Sequence, residues 1–169
     1  MFQVGEHVLY GIHGVCRITA TEERTVDRKR VSYLVLEPLE QAGARYLIPT
    51  HNEAALSKLR PVMSRQQLEQ LLSSDEVRFN VWIEDENLRK QRYRELISSG
   101  DRLALLQMIC SLHNHKKAQS EAGRKFHLCD ENFLRDAERL LNEEFSLVLG
   151  IEQNLVSAYV CNALLDEPR

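Results

Sequence analysis

MFQVGEHVLYGIHGVCRI, residues 1–18, decides the fold of the first third of the chain. Its two halves are apolar at alternate places, the pattern of β-strands, and they meet at Tyr10-Gly11-Ile12-His13-Gly14. A phosphate loop would lead from a strand into a helix, and no helical pattern follows. Gly11 and Gly14 instead predict a tight corner between two strands, with Tyr10 or Ile12 filling its interior.

Further along, "GVCRITATEERTV", "KRVSYLVLEPL" and "ARYLIPT" are short runs rich in Val, Ile, Thr and Tyr, separated by Gly, Asp and charged turns. "ERTVDRKRV" reads as the far end of a long hairpin with Asp27 at its turn. Val31, Tyr33 and Val35 alternate with Ser32, Leu34 and Leu36, and the run becomes apolar on both faces toward its end, as in a central strand. Five such strands in about sixty residues are too few for a sandwich, so a small SH3-like or Tudor-like β-barrel is expected over residues 1–60.

Pro61 marks a change of pattern. Ser64 and Gln67 stand in the capping-box relation before Leu68, Leu71 and Leu72. "SDEVRFNVW" reads as a break or linker. A second helix is predicted from about Glu84 to Ser98, ending at Gly100, and Asp101 starts a third that ends before the polar "HNHKKAQSEAG". Asp130, Phe133, Leu134, Ala137, Leu140, Leu141 and Phe145 define a fourth, and "EQNLVSAYVCNALL" a fifth. The class is therefore α+β: a barrel over residues 1–60 and a five-helix bundle over 61–169.

The 169 residues carry a net charge of -3 and are 43% hydrophobic, which describes a globular protein rather than a disordered or fibrous one. No run approaches a membrane span, and the N-terminus lacks a signal-peptide pattern, so a cytoplasmic location is the default. In that setting Cys16, Cys110, Cys129 and Cys161, each among apolar neighbours, are expected as buried thiols.

His113, His115, His127, Cys129 and Cys110 include His-x-His and His-x-Cys pairs but no Cys-x-x-Cys; exposed histidines and small core cysteines account for them, and no metal or other cofactor is expected. Glu84, Asp85 and Glu86 suit a helix start better than acid–base catalysis, and His13 shares no motif with a nucleophile, so no enzyme activity is expected. Positive charge says more. Arg89, Lys90, Arg92 and Arg94 fall on the second helix in two neighbouring rows, with Leu88, Leu96 and Ile97 free to face inward. Such a surface suits phosphates, while a solvated face bridged to Glu86 and Glu95 is the plainer alternative. Trp82 beside it is either a core or cap residue or an aromatic able to pack at an opened base step.

"VGEHVLYGIHGVCRI", "YLVLEP", "YLIP", "LRKQRYRELISSGD" and the series Asp130, Leu134, Ala137, Leu141, Glu144 together resemble the CarD and CdnL family of bacterial transcription regulators. Their N-terminal module is shared with the RNA-polymerase-interacting domain of the transcription-repair coupling factor. The resemblance implies a non-catalytic regulator whose barrel binds the RNA polymerase β subunit and whose helical domain touches promoter DNA near the melted region. It implies polymerase contact at Arg24; a second family arginine is Leu47 here, with Arg45 two residues back on the same face. DNA contact is implied at Trp82, Arg89, Lys90, Arg92 and Arg94. Trp82 stands about one helical turn farther from Ser99-Gly100-Asp101 than the family tryptophan. The implied activity is control of open-complex stability. The alternative is a protein-interaction adaptor that does not touch DNA, in keeping with fourteen basic against eighteen acidic residues from 61 to 169.

Overall fold

The computed structural model describes residues 2–165, and the chain divides into two compact units between Val62 and Met63. In the first unit, β1 (His7–Tyr10), β2 (Val15–Val26), β3 (Lys29–Pro38), β4 (Tyr46–Pro49) and β5 (Leu59–Pro61) form one antiparallel sheet in the order β4-β3-β2-β1-β5. A single turn of helix, α1 (Glu53–Leu56), links the last two strands and is capped by Asn52.

The β2–β3 hairpin turns at Asp27 and Arg28, both at positive φ (49° and 65°), with Val26 opposite Lys29. That is the two-residue geometry whose twist matches the flanking strands. Lower in the hairpin, Ile18 pairs with Leu36 but Ala20 with Val35, so Thr19 is an extra residue. Because strand faces alternate, one extra residue reverses the parity of everything beyond it. Val8, Cys16, Ile18, Leu34, Leu36 and Ile48 share the core side, while Glu22 and Arg24 are turned to the other.

The expected barrel is not closed by hydrogen bonds: β4 and β5 are the edges of an open sheet. The sheet is nevertheless strongly curled. Tyr10 on β1 and Tyr46 on β4 are three strands apart, about 14–15 Å in a flat sheet, yet their ring centroids are 5.4 Å apart. His13 completes the contact, its ring 4.4 Å from that of Tyr46 and its Nδ1 3.0 Å from the Tyr46 hydroxyl. Aromatic side chains thus bridge the mouth where backbone pairing would close a barrel. The corner at Gly11–His13 is one 3-10 turn, with Gly11 and Gly14 at positive φ as required. Tyr10 packs on the core, whereas Ile12 is 52% exposed, so the filling is done by the tyrosine alone.

The second unit contains α2 (Arg65–Ser73), a 3-10 turn at Asp75–Arg78, α3 (Glu86–Ser99), α4 (Arg102–Glu121), α5 (Leu128–Leu149) and α6 (Gln153–Leu165). The Ser64–Gln67 capping box is formed in both directions. Asp85 and Asp101 cap α3 and α4, and Gly100 and Gly150 end α3 and α5 in the left-handed conformation. The supposed linker is core structure: Val77 is fully buried and Val81 and Trp82 pack on the helices. α4 also runs on through "HNHKKAQSE", because polar residues on an exposed last stretch do not stop a helix that is already nucleated.

α5 is central, touching α2, α3, α4 and α6. Phe133, Leu134, Ala137, Leu141 and Phe145 form its buried stripe. Leu141→Ala is expected to cost about 2–5 kcal/mol through lost burial and the cavity left behind; chemical denaturation checks it, and a loss below about 0.5 kcal/mol would put the stripe at the surface. Glu144 is buried as well, its carboxylate accepting from Arg102 Nε (2.6 and 2.9 Å) and from the Met63 amide (3.2 Å). Among the described residues no single helix is long and apolar enough to cross a membrane.

Candidate functional site

In the first unit, Arg24 and Arg45, far apart in sequence, converge on one carboxylate. Arg24 Nη2 donates to Glu22 Oε2 at 3.1 Å and Arg45 Nη2 to Glu22 Oε1 at 2.6 Å. Arg45 Nε also lies 4.0 Å from Glu37. The reversal of parity at Thr19 places Glu22 and Arg24 on the outer face, and the β3–β4 register carries Arg45 beside Glu37 on that face. The Glu22 carboxyl is held below its ordinary pKa, first by the Arg45 hydrogen bond and then by that of Arg24. Both arginines remain about half exposed. Leu47, at the position where the resembled family has arginine, is half-buried opposite Val35.

In the second unit the four cations of α3 do not form one surface. Arg89 is 3% exposed. Its Nε and Nη2 grip the two oxygens of Asp130, which is fully buried, at 2.9 and 3.1 Å, and its Nη1 donates to the Ile83 and Glu84 carbonyls at 2.9 and 3.3 Å. Burial alone would lower the pKa of this guanidinium; the hydrogen bonds and charge of Asp130 more than reverse that. Arg89 is therefore a structural cation rather than a free one, because the helical spacing that set it in a row with Arg92 also turned it toward α5. Lys90 pairs with Glu86 at 3.0 Å and Arg92 with Glu95 at 3.4 Å, while Arg94 is exposed. Leu88, expected inside, is 59% exposed; Tyr93 takes the interior place, its pKa pushed up to about 12 by burial and its hydroxyl donating to the Val81 carbonyl.

Trp82 is half-buried. Its ring stacks on His115 (3.6 Å between centroids, 15° between planes), and the Arg89 guanidinium carbon lies 4.2 Å from the ring centroid. Its Nε1 is buried and has no hydrogen-bond partner among the described residues. The backbone around it is fixed on both sides: Ser111 Oγ accepts from the Val81 amide and Arg89 holds the next two carbonyls.

His115 leads to residues that the sequence reading passed over. Its ring is 6.2 Å from that of Phe126, over which Lys116 sits at 5.7 Å. The hairpin between α4 and α5 carries Lys116, Lys117, Arg124 and Lys125 against a single acid, Glu121. Lys116 is bound to Glu131; Lys117, Arg124 and Lys125 are exposed, with no carboxylate partner among the described residues. The two adjacent cation pairs were visible in the sequence, but only the fold brings their hairpin to Trp82. The histidines of that stretch have other partners: His113 meets Glu138 at 2.7 Å, and His115 meets Trp82 and Gln119. Among the described residues no group of three or more metal-ligating side chains is found.

Residues 2–63 match the family described as the CarD-like/TRCF RID domain. Over its whole length the chain is similar to a Bacillus subtilis (strain 168) protein named "Putative transcription factor YdeB", with 23% identity over 166 residues, 94% of this chain and 99% of the relative. With the five-stranded unit and the helical unit as described, these matches give the chain a CarD-like/TRCF RID domain at residues 2–63 and make its full length similar to a relative named as a transcription factor.

Proposed function

We propose that this protein is a transcription regulator that binds the RNA polymerase β subunit through its sheet unit and contacts promoter DNA through its helical unit, tuning how long the open complex lasts. The observation that carries the first half is the RID match over residues 2–63, which coincides with the compact sheet unit. The family is one of transcription factors and polymerase-interacting domains, not of enzymes. Edge strand β4 offers backbone groups for pairing with a partner strand, and Arg24 and Arg45 offer guanidinium forks to partner carboxylates. Glu22 keeps both forks in place before binding. Arg24→Glu is expected to weaken capture of purified β subunit on the order of tenfold; unchanged affinity in a folded variant would remove Arg24 from the contact.

The second half rests on the α4–α5 hairpin beside Trp82, with Arg94, Lys90 and Arg92 as further cations. Lys117, Arg124 and Lys125 have no carboxylate partner to give up among the described residues, so they suit backbone phosphates without cost to the fold. In this proposal Trp82 leaves His115 to pack at a distorted base step. Each phosphate contact contributes about 0.9 to the slope of log affinity against log salt. Replacing Lys117, Arg124 and Lys125 together with glutamine should therefore flatten that slope for promoter complexes by roughly 2–3.

One observation favours the adaptor reading: of the four α3 cations, Arg89, Lys90 and Arg92 are already paired with acids. An adaptor would leave the salt slope of the polymerase–promoter complex unchanged on adding the protein, and the same titration separates the two.

A further inference from the structure

Cys110 on α4 and Cys161 on α6 face one cavity of about 650 Å³ in the helical unit, whose apolar wall includes Leu106, Leu141 and Phe145 and whose edge carries Arg78. Both are free thiols. Their settings differ. Cys161 is exposed, whereas Cys110 is half-buried, and burial pushes its thiol up, with negative charge at Cys161 pushing the same way and Arg78 opposing. Both side chains line the same cavity, one from each helix. The other two cysteines are placed elsewhere: Cys16 is fully buried in the sheet core, and the Cys129 thiol donates to the Glu86 carboxylate at 3.9 Å, away from the cavity lining.

α6 is the element that a link at this point would affect most. Val156 is its one fully buried side chain among the described residues, and the Arg78 guanidinium holds the Leu164 carbonyl near its end. We propose that Cys110 and Cys161 form a dithiol site that a hydroperoxide converts to a disulfide joining α4 to α6.

The exposed Cys161 acts first, as its thiolate. It attacks a peroxide oxygen; the S–O bond forms, the O–O bond breaks, and the leaving hydroxide takes a proton to become water. The Cys110 sulfur then attacks the sulfenic sulfur, the S–S bond forms, the S–O bond breaks, and the hydroxyl leaves as a second water with the Cys110 proton. Two thiols lose two electrons and hydrogen peroxide gains them. A disulfide holds its Cα atoms about 4.4–6.8 Å apart, so the bond fixes α6 at close range to α4 and narrows the cavity.

The test uses the full chain and hydrogen peroxide, followed by intact-mass analysis and peptide mapping without reductant. The expected product has lost two hydrogens, contains a Cys110–Cys161 cross-linked peptide within one chain, melts at a higher temperature and reverts with a dithiol reductant. In Cys110→Ser the bridge is lost and Cys161 is trapped as a sulfenic acid that dimedone labels. Oxygen addition to the wild-type chain without a bridge, a bridge through Cys16 or Cys129, or a link between two chains would each overturn the proposal.

Discussion

Replacing Asp130 by alanine is expected to destabilise the helical unit by about 3–5 kcal/mol, the cost of leaving a buried charge without its partner. Arg89 would keep its two backbone acceptors but lose both carboxylate oxygens, at a depth where water cannot replace them. Asp130→Asn should fall between, because its amide offers one acceptor and sets an NH₂ group against a guanidinium that has only donors. Replacing both partners together, as in Arg89→Met with Asp130→Leu, should recover much of the loss. Denaturant unfolding of the four proteins measures this, and a loss under about 1 kcal/mol for Asp130→Ala would mean that the pair is open to solvent. The single variants should also loosen the Trp82 segment, since Arg89 holds the Ile83 and Glu84 carbonyls and lies against the indole.

Trp82→Ala carries the second large effect, and it has two parts. The stacked, half-buried ring predicts a stability loss of about 2–3 kcal/mol, below the roughly 3–5 of a fully buried aromatic. The role at the melted promoter predicts in addition a faster decay of open complexes with β-subunit binding intact. Leu141→Ala is the control, because it costs comparable stability at a site remote in role from DNA. If Trp82→Ala shortens open-complex life beyond what Leu141→Ala does, the indole acts on the promoter; equal decay in the two would leave it only its packing role.

Much of this was legible from local pattern. The capping box at Ser64 and Gln67, the turn at Asp27 and the glycines that end α3 and α5 are short-range signals whose chemistry does not depend on the rest of the chain. The buried stripe of α5 was equally plain, since strict three- and four-residue spacing leaves one face. What could not be read was set by partners distant in sequence. Arg89 looks like any cation of a basic helix until Asp130, on another helix, draws it inside. Arg45 and Arg24 share Glu22 only because an extra residue at Thr19 turns one strand over, and no local signal marks that bulge. The extent of α4 is hidden for a different reason: an exposed helical turn needs no apolar periodicity, so a polar run can continue a helix. Cys161 is expected to be buried on the strength of its neighbours, and it is exposed because it lines an open cavity instead of packing within the core.

Trp82 is the sole tryptophan of the chain, and it stacks on a histidine. Indole emission excited at the red edge, where tyrosine does not absorb, therefore reports on the helical unit alone, and contact with the stacked imidazole quenches it. Undocking of the ring from His115 would brighten the emission and shift it to the red as the indole meets water, whereas insertion between bases would extinguish it. Without any added label, the chain distinguishes by colour and intensity whether its aromatic is docked, free or stacked in nucleic acid.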